Sequence, residues 1–435
     1  MRRICLTLPT NRPCAATITA VAEEAAHAVR HFDVEVHLLV LDSCAAPAYA
    51  EHAEAVRRIP QDPRIVVHHL DEARQRDFLR RVIDRSAAAD PDHLLDLMLP
   101  AALSYGACTN RAFLLAAALG CESVHRRDSD SRYQVVDGRT VFPVHHELTS
   151  LGRRAADAAR HVTETVLADD HMDRRVAMVG SSFIGELSVD LGEILRTDPA
   201  VHHDMVGLWA PPHWSDEQKA QLVEESFRGA GTEAFTADRS TLTLVDPMRV
   251  DMCNIAFHGL HERVPLPPAT DTIGSDYFLI HLVHDAGQPG VLHNRNIVNF
   301  YTGERRTDAG FRAYQLRFVK FLLSMLYFHF VYDRMARAGS ALLDDQGEVR
   351  ASVVARLARE SAGLDRGENI HRLDVLDTAY RKLGGRYAEF ADLLAQRRER
   401  LLDEARRDIE DFALLVEAWQ PLVRAAALTS VPRRR

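Results

Sequence analysis

Cysteine is scarce and scattered in this chain. Six cysteines stand at positions 5, 14, 44, 108, 121 and 253, with no CxxC pair. That spacing excludes a zinc knuckle or a dense disulfide framework and leads us to expect the reducing cytoplasm. Basic residues are outnumbered, 53 Lys and Arg against 62 Asp and Glu, for a net charge of -9. A general nucleic-acid binder would carry the opposite balance, so no nucleic-acid partner is expected. Long apolar runs are missing as well. The best candidate, Phe318 to Tyr332, contains Lys320 and His329 and is followed by Asp333. It is shorter than the ~20 residues a membrane span needs and reads as a buried helix. The N-terminal residues open on a strand-like run rather than a charged-then-apolar leader, so neither a secretory signal nor a membrane partner is expected. No Walker lysine loop and no GxSxG elbow occur, which argues against a P-loop kinase and an α/β-hydrolase.

What is present is ordinary globular material in quantity. The 435 residues allow two or three domains, and 46% hydrophobic content supplies a sizeable core. Strand and helix signals alternate at the start. Ile4–Leu8, Val34–Leu41, Arg64–His68 and Glu122–His125 read as strands. Ala15–His31, Ala46–Arg58, Asp71–Ala87 and Thr109–Leu119 read as helices between them. Such alternation predicts an α/β fold, a mostly parallel sheet with helices on both faces. Further strands are expected at Val176–Val179 and Met252–Phe257, and helices at Leu187–Leu195 and at Ser275–Asp285, the latter with Ser275 as its N-cap. From Phe311 onward the pattern is helical to near the end. The expected division is an α/β half at 1–135, a less regular part at 136–308 and a helical region at 309–435.

Ligands of open α/β sheets sit at the carboxyl ends of the strands. Three polar exits fall there: Pro9-Thr10-Asn11-Arg12-Pro13, Asp42, and Asp128-Ser129-Asp130. Two carboxylates leaving a strand can hold a divalent cation, Mg²⁺ or Mn²⁺, and such a cation can neutralise a diphosphate. Thr10 and Asn11 suit hydrogen bonds to a base edge, and Arg12 suits a phosphate or a stacked base. The same residue types also form turns and caps. Arg126 and Arg127 are placed to pair with the carboxylates or with a diphosphate. Trp209 and Trp214 stand near a Pro-Pro-His loop and read foremost as core residues, with stacking on a ligand as the alternative. With 22 histidines, any single one is a weak pointer to a ligand.

These features together resemble the GT-A glycosyltransferases, over about residues 1–300. The resemblance rests on Leu8 to Pro13 at the first strand exit, Asn110-Arg111 before the motif, the Asp128-Ser129-Asp130 triplet and Gly274-Ser275-Asp276-Tyr277-Phe278. It implies a GT-A-like fold and transfer of a sugar from a nucleoside-diphosphate donor to a small-molecule acceptor. It also implies that Pro9, Thr10, Asn11, Arg12, Asp42, Asn110, Arg111, Asp128, Ser129, Asp130 and Arg295 contact the nucleotide-sugar. Asp128 and Asp130 would bind the metal, with His293 completing its shell, and Asp276 would be the general base. The family commonly has a Glu-Asp pair where this chain has Ser275-Asp276. Within this resemblance the chain is similar to lincosamide-type S-glycosyltransferases, which would make a GDP-sugar the donor and the thiol of ergothioneine the acceptor, in antibiotic biosynthesis. Two rival readings are a sugar-nucleotide-forming nucleotidyltransferase and a non-catalytic nucleotide-sugar-binding scaffold. A homodimer through the helical region is a further expectation.

Overall fold

Strand and helix alternate through the first third of the chain in this computed structural model, which describes residues 1–186, 191–300, 303 and 307–432. Strands β1 (Arg2–Thr10), β2 (Val34–Asp42), β3 (Ile65–Asp71) and β4 (Ser123–Arg127) lie parallel in the order β3-β2-β1-β4. Helices α1 (Ala15–His31), α2 (Ala46–Arg57), α3 (Glu72–Ser86), α4 (Pro91–Met98) and α5 (Tyr105–Leu119) connect them. The sheet continues through β5 (Glu164–Thr165), β6 (Met178–Gly180), β7 (Ser240–Thr243), β8 (Asn254–His258) and β9 (Gly290–His293). Among the described residues the whole order is β3-β2-β1-β4-β8-β6-β9-β7-β5. Strand β8 runs antiparallel to both β4 and β6, and β7 antiparallel to β9; the remaining five pairings are parallel. The expected mostly parallel α/β sheet is therefore present, with an antiparallel strand at its centre.

Strands β1, β2 and β4 are buried at nearly every position because both faces are covered. Along β1, Ile4, Leu6 and Leu8 pack under α1 and α2, while Cys5 turns to the opposite core with Leu39 and Leu41 of β2. This is the two-residue alternation of a pleated strand. Caps fix the helices that follow the strands. Asp71 accepts from the Arg74 amide at the start of α3, and Ser104 from the Ala107 amide at the start of α5. Gly106, in the first turn of α5, touches the backbone of the Pro-rich loop: a Cβ there would lie 1.9 Å from the Pro267 carbonyl oxygen.

Beyond the sheet, α6 (Phe278–Asp285) precedes four long helices: α7 (Asp308–Ala338), α8 (Ala351–Ala362), α9 (Gly367–Leu383) and α10 (Gly385–Ala427). Their apolar faces join the core that covers one side of the sheet. Trp419 of α10 is fully buried and donates its indole N–H to the His261 carbonyl at 3.0 Å. Lys320 of α7 donates to the Thr270 carbonyl at 2.7 Å and pairs with Glu404 of α10 at 3.3 Å. The apolar Phe318–Tyr332 run is thus core packing within the chain, the buried helix expected from the sequence. No helix among the described residues is long and apolar enough to cross a membrane.

Some expected elements differ. Ser275 does not cap a helix. It lies in a 3-10 turn, Ser275–Tyr277, entered through Gly274 at φ +73°, and α6 starts only at Phe278. The helix expected at Leu187–Leu195 is found as Gly192–Thr197, and residues 187–190 lie outside the described residues.

Candidate functional site

A cavity of about 510 Å³ opens at the carboxyl ends of β1 and β4, the point where the strand order reverses. Pro9, Thr10, Asn11 and Arg12 line it from β1, and Asp128, Ser129 and Asp130 from β4. Arg111 of α5 and Asp276 of the 3-10 turn complete the set of expected residues that meet there.

Thr10 shapes its own exit. Its hydroxyl accepts from the Arg12 amide at 3.2 Å and donates to the Arg12 carbonyl at 2.8 Å, closing a tight turn. That turn aims the Arg12 guanidinium at Asp130, with Nη1 to Oδ2 at 2.8 Å. Ser129 is tied by its carbonyl, which accepts from the Thr17 hydroxyl at 3.2 Å. Asp128 sits opposite Arg126, at 3.1 Å, and the other side of the same guanidinium reaches Asp276 at 3.1 Å.

Asp251, in the turn before β8, also lines the cavity and was missed from the sequence. Its carboxylate accepts from the Tyr277 hydroxyl and from the Cys253 amide, the latter at 2.9 Å. No spacing rule links residue 251 to the triplet; the antiparallel pairing of β8 with β4 brings it there. The described lining thus carries six acids, Glu72, Asp128, Asp130, Glu225, Asp251 and Asp276, against three guanidinium groups, Arg12, Arg111 and Arg126. Burial raises Asp128 to about 6, and neighbouring Asp130, Asp251 and Asp276 add to that while Arg126 opposes it. Asp276 is raised for the same first reason, burial, with Arg126 again opposing. Burial works against the charge on Arg126, yet Asp128 and Asp276 hold its pKa above the ordinary value.

Surplus negative charge of this kind is what a divalent cation relieves. The acids do not form a closed protein cage: among the described residues, the one triad with ligand atoms all within 4.8 Å is Asp42, Cys44 and His52. Hard cations such as Mg²⁺ take one or two carboxylates plus substrate oxygens and waters. Asp128 and Asp130 fit that donor set.

Arg111 contributes a different charge. Its Nε donates to Gln75 at 2.8 Å and one Nη to the Met98 carbonyl at 2.7 Å, both neutral acceptors. Burial lowers its pKa, with Cys108 and Glu72 acting in the other direction. A cation held by neutral groups at a cavity wall suits an anionic ligand.

Five expected residues do not reach the cavity. Asp42 is buried, and its Oδ2 accepts from His52 Nδ1 at 2.7 Å and His69 Nε2 at 2.8 Å, while Oδ1 accepts from the Cys44 amide at 2.9 Å. Burial alone would raise its pKa, but these bonds hold it well below the carboxylate range. Both oxygens are engaged, so the expected nucleotide-sugar contact is not what this geometry offers. Asn110 clamps the Pro-rich loop instead: it donates to the Leu266 carbonyl at 2.8 Å and accepts from the Leu266 amide at 2.7 Å. Arg295 is bidentate to Asp238, at 2.7 and 2.9 Å, and donates to the Phe142 carbonyl at 2.8 Å. His293 ends β9 and stacks on His146 with ring centroids 5.3 Å apart; burial first, and His146 next, push it well below the imidazole range. Neither Arg295 nor His293 lines the cavity. Arg127 turns to the opposite face of β4, where it pairs with Glu24 at 2.8 Å and Glu147 at 2.9 Å.

The chain belongs to a family of unknown function, DUF6271, whose model matches residues 2–435. No curated protein matches its sequence. Among solved structures it is similar to the mannosyltransferase PcManGT from Pyrobaculum calidifontis in complex with GDP-Man and Mn2+, at 15% identity and a TM-score of 0.32, over 98% of this chain and 87% of that chain. A likeness of that size assigns no residue.

Proposed function

We propose that this protein is a GT-A-like glycosyltransferase that moves a sugar from a nucleoside-diphosphate donor, a GDP-sugar by preference, to a small-molecule acceptor. The observation that supports it most is the meeting of Asp128 and Asp130 with Arg12, Arg111, Arg126 and Asp276 in one cavity at the ends of β1 and β4. Residues 1–135 would bind the donor nucleotide, 136–308 would supply the acceptor side, and 309–435 would cover both. Preference for guanine, ergothioneine as acceptor, and a place in antibiotic biosynthesis rest on the sequence resemblance alone.

Pro9, Thr10 and Asn11 would border the base and ribose. Arg111 and Arg126 would face the diphosphate, the anion they are charged for. Asp128 and Asp130 would hold a divalent cation in exchange for their present arginine partners; when bound, that cation supplies charge neutralisation of the leaving diphosphate. Asp276 would take the proton of the acceptor. A carboxylate with a raised pKa keeps that proton more readily than an ordinary one. The acceptor atom then forms its bond to the anomeric carbon, the bond from that carbon to the diphosphate oxygen breaks, and the diphosphate leaves with the electron pair.

The test is thermal-shift screening against GDP, UDP, dTDP, CDP and ADP, each with and without Mn²⁺ or Mg²⁺. Ligand binding to the folded state raises the melting temperature by mass action. A metal-dependent shift with one diphosphate, lost in Asp130→Ala, is the expected result. No shift with any of the five would overturn the reading.

A further inference from the structure

Opposite the charged wall, the cavity is aromatic. Helix α7 gives it Tyr314, Phe321, Met325 and Tyr332, spacings of seven, four and seven that keep one helical face toward the cavity. Trp209 and Phe227 extend this wall from the middle of the chain. Their rings stack with centroids 5.4 Å apart, and Trp209 meets Phe321 edge-on at 5.3 Å. Phe227 holds this place at φ +63°, a left-handed conformation that costs a bulky side chain energy and that persists only where packing enforces it.

This wall adjoins the expected base. Gly274 lies against Phe321 so closely that a Cβ would come within 2.9 Å of the ring. The turn carrying Asp276 is therefore seated on the aromatic surface. Tyr332 stacks on His281 at 3.9 Å, and burial lowers that histidine to about 3, so it adds no positive charge.

The charge inventory narrows the occupant. Among the cavity-lining described residues from Ser182 onward there is no Lys or Arg, and the charged side chains are Glu225, Asp251 and Asp276. The guanidinium that reaches this wall, Arg126, is shared between Asp276 and Asp128 at 3.1 Å each, so acids remain in surplus and disfavour a phosphorylated or carboxylated acceptor. Stacked rings with few hydrogen-bonding partners gain most from burying another planar apolar surface. A cavity of about 510 Å³ shared with a donor limits the acceptor to a small molecule.

We propose that the acceptor is an uncharged, planar aromatic small molecule bearing a hydroxyl or thiol, bound against Trp209 and Phe321 with its nucleophile toward Asp276. The assignment rests on the glycosyltransferase reading for the word acceptor, and on the aromatic wall for the chemistry.

The experiment titrates 2-naphthol into the wild-type protein, Phe321→Ala and Trp209→Ala by calorimetry, with GDP and Mn²⁺ present and absent. Glucose and ergothioneine are the comparison probes. The expected result is saturable 2-naphthol binding that weakens at least tenfold in each variant, with glucose undetected. Should Phe321→Ala fail to fold, Trp209→Ala, altered at a half-buried ring, decides alone. No 2-naphthol binding, unchanged binding in a folded variant, or a preference for glucose or ergothioneine overturns the proposal. Nucleotide binding is read separately. Naphthol binding without any nucleoside-diphosphate binding would remove the donor reading and leave the aromatic site standing, whereas the reverse would remove the aromatic site alone.

Discussion

Arg126 stands 3.1 Å from Asp276, joining the end of the fourth strand to a turn far along the chain. The same guanidinium is 3.1 Å from Asp128, so one buried cation balances two acids on the cavity floor. Removing one partner of a buried ion pair leaves the others uncompensated and costs about 3–5 kcal/mol. Arg126→Leu is therefore expected to lower unfolding stability by about that much, measured in urea. The double variant Arg126→Leu/Asp276→Asn should recover part of the loss, because it removes one of the stranded charges. Equal stability of the single and double variants would mean that Asp276 does not depend on Arg126.

Arg127 should behave differently although it is the next residue. Successive side chains of a strand point to opposite faces. Arg127 serves a buried network in which Glu24 accepts two hydrogen bonds from it, at 2.9 and 2.8 Å, and Glu147 also accepts from His125 at 2.7 Å. Arg127→Leu is expected to destabilise by a similar amount, about 3–5 kcal/mol, since it strands two buried carboxylates. Any nucleoside-diphosphate affinity measured on the surviving folded fraction should be unchanged, because this side chain does not line the cavity.

Asp42 provides a test of position against role. The carboxylate fixes the tautomer of His52: Nδ1 donates to Asp42, which leaves Nε2 to accept from the Cys14 amide at 2.9 Å. That relay links the exits of β1 and β2. Asp42→Asn keeps the shape but removes the charge, and is expected to lower the melting temperature by several degrees. A variant with unchanged melting temperature and a lost nucleoside-diphosphate shift would restore the nucleotide-sugar contact expected from the sequence.

The sheet and its helices were legible because periodicity and burial agree there. The middles of β1 and β2, Ile4 to Leu6 and Leu38 to Leu41, are apolar and buried, and α1 carries its buried residues on one face. The acidic triplet was legible because it follows a strand. Asp42 and Arg295 were misplaced for a physical reason: a polar residue past a strand looks the same whether it faces a cavity or a partner within the fold, the His52 and His69 rings for Asp42 and the Asp238 carboxylate for Arg295, and only packing separates the two. Asp251 was missed since its place depends on β8 running antiparallel into the sheet, a pairing that local pattern does not encode. The aromatic wall was half visible. Trp209 read as core and packs as core, yet it also borders the cavity.

Asp285, the last residue of α6, ties stability to pH. Burial, with the nearby Asp333 carboxylate adding to it, raises Asp285 to about 7. Its Oδ2 is buried without a hydrogen-bond partner. An unfolded chain would titrate this acid near 3.9. Between those two values the folded protein binds the proton more tightly than the unfolded chain, so the contribution of this group to stability is full below about 4 and is lost as the pH rises through about 7. Other groups titrate in the same window; His281, pushed down to about 3, works in the opposite sense. The difference between wild type and Asp285→Asn isolates the one group. Urea unfolding at pH 5 and pH 8 should show the variant gaining on the wild type at the higher pH, by on the order of 2–4 kcal/mol. A constant difference across that range would mean that Asp285 is solvated or paired in solution, and that α6 ends closer to water than its burial implies.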